Sequence, residues 1–130
     1  MTKEEFMHKY HDRIHYKFSN RNPLALYGIS VDDGWMPLIE KCAEEIVAID
    51  EDIRFFQIKE KFGGLRFYTD NGNKEKWEAI REVISKYERE SVTVCEVCGE
   101  PGTIGKGSRM WIKTLCDKHR KEMRTEAPNY

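Results

Sequence analysis

No apolar run in the sequence approaches the ~20 residues needed to cross a bilayer. The opening residues MTKEEFMHKY contain no signal-peptide core. These absences predict a soluble, cytoplasmic chain with no membrane partner. In that reducing compartment the 4 cysteines are not expected to pair as disulfides. Net charge is also scarce, since 22 lysines and arginines oppose 23 aspartates and glutamates and leave −1. A dedicated duplex-DNA binder draws on counterion release and carries a basic excess, so the balance counts against that class. The charge is uneven, however: residues 31–60 are acid-rich, and Lys106 to Arg124 is base-rich.

Catalytic signatures are missing as well. The chain holds no GxSxG elbow, no phosphate-cradling glycine loop ending in Lys-Ser/Thr, no HExxH and no evident carboxylate dyad. The paired His-x-Glu and Pro-Cys-x-x-Cys elements of zinc deaminases are absent too. The expectation is a protein that is not an enzyme. Nor does any repeat, low-complexity tract or long Gly/Ser/Pro linker divide the chain. At 130 residues it reads as one compact domain in two segments, a helical and β-hairpin core over 1–90 and a metal-binding module over 91–130.

What is present begins with helical periodicity. Phe6, Tyr10, Ile14 and Phe18 recur every four residues and predict a helix over 3–18, broken by residues 19–23. A turn at Asp32–Asp33–Gly34 precedes a second helix, where Trp35, Leu38, Ile39, Cys42, Ile46 and Ile49 share a face and Pro37 fits the first turn. Cys42 therefore reads as a small buried hydrophobe. A third helix, capped by Asn73, aligns Trp77, Ile80, Val83, Ile84 and Tyr87. His8, His11 and His15 are assigned to the solvated face of the first helix, although His11 and His15 have a spacing that can hold a metal.

Between the second and third helices, residues 53–62 and 65–70 read as strands joined by Gly63–Gly64, the doublet a type I′ turn favours. That turn predicts a register pairing Phe62 with Leu65, Lys61 with Arg66, Glu60 with Phe67, Lys59 with Tyr68 and Ile58 with Thr69. The fold class is thus α+β, three helices packed on a small antiparallel sheet, followed by a zinc-ribbon-like module.

One face of this hairpin carries Ile58, Phe62, Leu65 and Phe67 and is expected to pack on the helices. Glu60 falls on it anomalously, to emerge at a sheet edge or to pair with a basic residue elsewhere. The other face carries Gln57, Lys59, Lys61, Arg66 and Tyr68. Alternation alone produces such polar faces, but Lys61 directly opposite Arg66 is a like-charge pair that an anion relieves. A carboxylate of the acidic second helix or a ligand phosphate satisfies this requirement, and arginine and tyrosine suit phosphate clamping and ring stacking. Arg109 and Trp111 repeat the basic–aromatic theme and extend the candidate ligand set to Gln57, Lys59, Lys61, Arg66, Tyr68, Arg109 and Trp111.

The strongest chemical signal is Cys95-Glu-Val-Cys98-Gly followed by Cys116-Asp-Lys-His119. Each two-residue gap folds as a knuckle, and four thiolate or imidazole donors close a tetrahedral zinc shell, so the expected role is structural.

The stretches DDGWMPLI, QIKEKFGGLRFYTD, CEVCGEPG and WIKTLCDKH resemble a set of small uncharacterised proteins of phages, prophages and bacteria. These share a KEKFGGLRFY-like hairpin and a CxxC…CxxH tail. The resemblance spans about residues 32–119 and implies a phage or bacterial origin, hence a host-cell cytoplasm if phage-encoded, but no activity. The leading expectation is a non-catalytic binder of an anionic, nucleotide-like small ligand that sequesters a host molecule. Two alternatives stay open, a zinc-ribbon nucleic-acid module using Lys113 to Arg124 and an adaptor that blocks a host protein. Homo-oligomers are compatible with each.

Overall fold

The computed structural model describes residues 1–15, 22–106 and 111–126, the last three of these by backbone alone. The architecture is α+β, and the described residues form six α-helices and two two-stranded antiparallel sheets. Three helices on the sheet and a short tail helix over about 117–125 were expected, and the two further helices arise from a break in the first and from the Pro23 segment.

The predicted first helix is two, α1 (Lys3–Lys9) and α2 (His11–Ile14). Thr2 and Glu5 cap α1 reciprocally, each side chain accepting the other's amide at 3.0 Å. The break at Tyr10 follows tertiary ties that fix the second piece. Arg13 donates to the carbonyls of Glu51 and Ile53, and Arg54 donates to the Asp12 carbonyl at 2.8 Å. Phe6, Tyr10 and Ile14 all remain buried, while Phe18 lies outside the described residues.

Pro23, expected within a breaker segment, instead opens α3 (Pro23–Tyr27). Asn22 is its cap and is only 3% exposed. Its Oδ1 accepts the Leu24 and Ala25 amides at 2.8 and 3.4 Å, and its Nδ2 donates to the Phe55 carbonyl at 2.9 Å. A 3-10 turn at Asp33–Trp35 leads into α4 (Met36–Ile49), with Pro37 in the first turn as expected. Cys42 is buried, and burial pushes its thiol far above the ordinary range. Helix α5 (Trp77–Ser91) packs on α4. Asn73 stands one turn further out, its Oδ1 accepting the Glu75 amide at 2.9 Å.

The first hairpin, β1 (Phe55–Lys61) and β2 (Gly64–Thr69), corrects the expected register. Lys61 pairs with Gly64, Glu60 with Leu65, Lys59 with Arg66, Ile58 with Phe67 and Gln57 with Tyr68, with a bulge between Phe55 and Gln57. The turn residues are Phe62 and Gly63, at φ 54° and 84°, rather than the glycine doublet. The change moves each pairing by two residues, so the division into faces survives even though Lys61 no longer opposes Arg66. Packing favours this register because it sets Ile58 against Phe67 inside the core, where Phe55 and Phe67 rings meet at 5.1 Å. Both sheet edges are occupied. Ser30 bonds to Ile58 and Glu60 beside β1, and Ser91 and Glu88 side chains accept the Leu65 and Phe67 amides beside β2.

The second sheet is β3 (Thr103–Lys106) and β4 (Ile112–Leu115), followed by α6 (Asp117–Glu126). Among the described residues, no helix is long and apolar enough to cross a membrane.

Replacing Asn22 with Ala removes the α3 cap and leaves the Phe55 carbonyl without its donor. The expected loss is about 2 kcal/mol of unfolding free energy, read as a lower urea midpoint with unchanged slope.

Candidate metal centre and ligand cleft

The residues after α5 have little apolar mass of their own, and a knuckle organises them. Cys95 and Cys98 flank a turn in which Gly99, at φ 82°, returns its amide to the Cys95 carbonyl at 2.9 Å. Cys116 directly follows β4, and His119 lies in the first turn of α6. These four donor atoms lie within 4.8 Å of one another and can hold a metal ion.

Their spacing is informative. The sulfurs of Cys98 and Cys116 are 3.8 Å apart, and His119 Nδ1 lies 3.2 Å from Cys116 Sγ and 3.7 Å from Cys95 Sγ. Two thiolates each bound at about 2.3 Å to one tetrahedral ion stand about 3.8 Å apart. Glu122 lies 3.8 Å from the far nitrogen of His119, on the side that leaves Nδ1 free for an ion. Burial raises the Cys95 thiol pKa, but the amides of Cys116, Cys98 and Val97 outweigh it and hold that thiol down at about 6. A thiolate ligand is favoured there. Cys98 is pushed up: the Glu100 amide pulls it down, but partial desolvation and the neighbouring Cys95 and Cys116 sulfurs prevail.

The module docks on the core at two places. Gly34 presses against the knuckle, its amide donating to the Glu96 carbonyl at 2.7 Å, and Trp35 Nε1 donates to the Val94 carbonyl at 2.8 Å. A Cβ at Gly34 would fall 2.3 Å from the Cys95 carbonyl oxygen, so the site admits no side chain. At the other place, Lys113 lies between Glu60 (2.9 Å) and Glu96 (3.4 Å), and Thr114 Oγ1 donates to the Gly63 carbonyl at 2.6 Å. This resolves the Glu60 anomaly in favour of a basic partner elsewhere in the chain. The other Glu60 oxygen accepts the Gly63 amide at 2.9 Å.

Docking opens a cleft of about 420 Å³ between the turn of the first hairpin and the start of β4, lined by Glu60, Lys61, Phe62, Trp111 and Ile112. Lys61 and Trp111, both expected ligand residues, meet here. The others do not join them. Gln57, Lys59, Arg66 and Tyr68 share the Lys61 face but run away from the tip. Lys59 Nζ sits 5.9 Å from the Tyr68 ring centre, Arg66 lies near the half-buried Glu88, and Tyr68 borders a separate groove with Trp77 and Arg81. Arg109 lies outside the described residues.

Phe62 was expected on the core-facing side, yet it and Trp111 are each 67% exposed. No feature of the sequence marks Phe62, because the glycine doublet admits two turn positions. The basic tail is partly consumed internally. Besides Lys113, Arg120 donates to the carbonyls of Thr103, Lys106 and Lys113.

In comparison with known proteins, no family model, no curated protein and no solved structure matches the chain.

Substituting Gly34 with Ala forces the knuckle backbone off the core. The expected cost is about 1–3 kcal/mol, the range for overpacking a close contact, together with weaker metal retention against a chromogenic chelator.

Proposed function

We propose that the protein is a non-catalytic binding protein in which one structural zinc ion orders the C-terminal module and the cleft between the two hairpins takes an anionic, nucleotide-like ligand. Three thiolates and one imidazole are a donor set that zinc prefers, and four protein ligands leave no open position for a reacting water. The metal's task is then to supply folding free energy to a segment of two four-residue strands.

The observation that carries the ligand reading is the cleft itself, where the Lys61 ammonium and the Trp111 ring come from separate parts of the chain. Lys61 suits a phosphate oxygen and Trp111 a planar ring. The same sheet face continues through Lys59, Gln57, Arg66 and Tyr68, which offers polar contacts to whatever extends beyond the cleft. The resemblance to small phage and bacterial proteins implies a host cytoplasm if the protein is phage-encoded, and sequestering a host molecule is the role this reading assigns to it. The internal commitment of Lys113 and Arg120 disfavours a reading based on the basic tail.

The zinc assignment predicts one zinc per chain by elemental analysis. Stripping it should lower Tm and raise amide exchange after Ser91 while α4 and α5 stay protected. Equal protection with and without chelator would remove the structural zinc. For the ligand, the zinc-loaded protein should show a saturable rise in Tm with a panel of mono-, di- and cyclic nucleotides. Lys61→Ala and Trp111→Ala should each abolish it. A flat response across the panel and across oligonucleotides would end the ligand reading.

A further inference from the structure

Phe62 occupies the first position of a type I′ turn at φ 54°, a place where Asn, Asp or Gly is expected and a bulky residue is an outlier. Its ring gains little from burial there, being 67% exposed. The register sets position 62 in the left-handed region, but folding does not call for an apolar ring there, since Asn at this position would make a better turn. Strain of this kind gathers at ligand sites. Across the same cleft stands Trp111, equally exposed, with Ile112 beside it and Lys61 Nζ 5.5 Å from the Phe62 ring centre.

The charge inventory narrows the ligand. Lys61 forms no ion pair with any described residue, whereas Lys113, one residue past the cleft wall, is held by Glu60 and Glu96. The Glu60 carboxylate that also lines the cleft is held by Lys113 and the Gly63 amide, and one ammonium beside it and the aromatic and aliphatic walls is poor equipment for a free di- or triphosphate. It matches one phosphodiester charge beside an unstacked base. The Lys61 face then continues along β1 to Lys59 and Gln57, about 13 Å at ~3.3 Å per residue, with Arg66 and Tyr68 alongside on β2. That track is longer than one nucleotide and carries three cations, an amide and a tyrosine.

We infer that Phe62 and Trp111 form a base-stacking platform for single-stranded nucleic acid, whose phosphates pass Lys61 and follow the polar face of the first hairpin. This rests on the nucleotide-like reading of the cleft and specifies its form as a polymer. Stacking is sequence-tolerant, and few phosphates are neutralised, so the platform binds with a shallow salt dependence.

The test uses the full zinc-loaded chain and a fluorescently labelled eight-nucleotide dT strand, read by anisotropy, with a duplex of equal length and dTMP as competitors. The expected order is single strand well above duplex and dTMP. Phe62→Asn creates an Asn-Gly turn, so it should keep or raise Tm while weakening the single strand about 5-fold or more, the loss of one stacked base. Trp111→Ala should act in the same direction. A Phe62→Asn protein that is equally or more stable and binds the strand undiminished would overturn the platform. If dTMP binds as tightly as the eight-mer, the small-ligand reading stands and the polymer inference falls. If neither binds, both fall. A concentration-dependent dimer abolished by Phe62→Asn, without strand binding, would instead assign the rings to an interface between copies.

Discussion

Three charged side chains from distant parts of the sequence set the geometry on which the cleft depends. Lys113 of β4 lies between Glu60 of β1 and Glu96 of the cysteine knuckle. Glu96 is 2% exposed, and its burial raises the carboxyl pKa against the pull of the Asp32 amide and of Lys113. Burial lowers the Lys113 ammonium pKa, and the two carboxylates more than restore it. Such a group adds little net stability relative to an apolar substitute, but breaking it leaves an uncompensated buried charge. Its consequence here is positional. When Lys113 meets both acids, the next residue, Thr114, delivers its hydroxyl to the Gly63 carbonyl, and Ile112 comes against Gly63. One ammonium thereby aligns two hairpins that share no strand pairing.

The metal-ligating residues and this charge group divide the work of ordering the tail. Among the described apolar residues after Ser91, Cys95 and Leu115 are buried, too few to sustain a core. An ion drawn to Cys95, Cys98, Cys116 and His119 ties the knuckle to the end of β4, and Gly34 and Trp35 hold the knuckle on the helical core. Trp111 precedes Cys116 by five residues on the same strand-forming segment. The cleft wall is therefore linked to metal occupancy through a short, hydrogen-bonded path rather than a flexible tether. Chemistry at the sulfurs, packing at Gly34 and the position of an exposed ring form one chain of causes.

How much of this was legible in the sequence depended on the range of the interactions involved. The cysteine–histidine set was readable because ligand spacing is local and the chemistry narrow. Helices α4 and α5 were readable because their apolar faces repeat at helical period over three or more turns. The single first helix was not, since Arg13 and Arg54 bind backbone carbonyls some forty residues away, and no periodic pattern carries such ties. Asn22 looked like a breaker because its cap role and its bond to Phe55 are joined only in three dimensions. The partition of hairpin faces survived because a two-residue change of pairing preserves side-chain alternation. The partners themselves did not survive it.

That change of pairing shows which force prevailed. By turn chemistry alone Gly63–Gly64 is the better loop, and placing Phe62 in the left-handed region costs about 1 kcal/mol. Against this stand several gains that require the observed register. Ile58 faces Phe67 rather than Thr69, and the Glu60 carboxylate reaches the Gly63 amide while Lys113 holds its other oxygen. Gly63 itself, where even a Cβ would crowd Ile104 and Ile112, fits between the two hairpins. A strained residue persists only where its surroundings over-determine it. Glu60 and Gly63, on either side of Phe62, are fixed by such contacts, and the ring turns outward. The same contacts that fasten the metal-binding module to the core thus push an aromatic side chain into solvent beside Lys61 and Trp111.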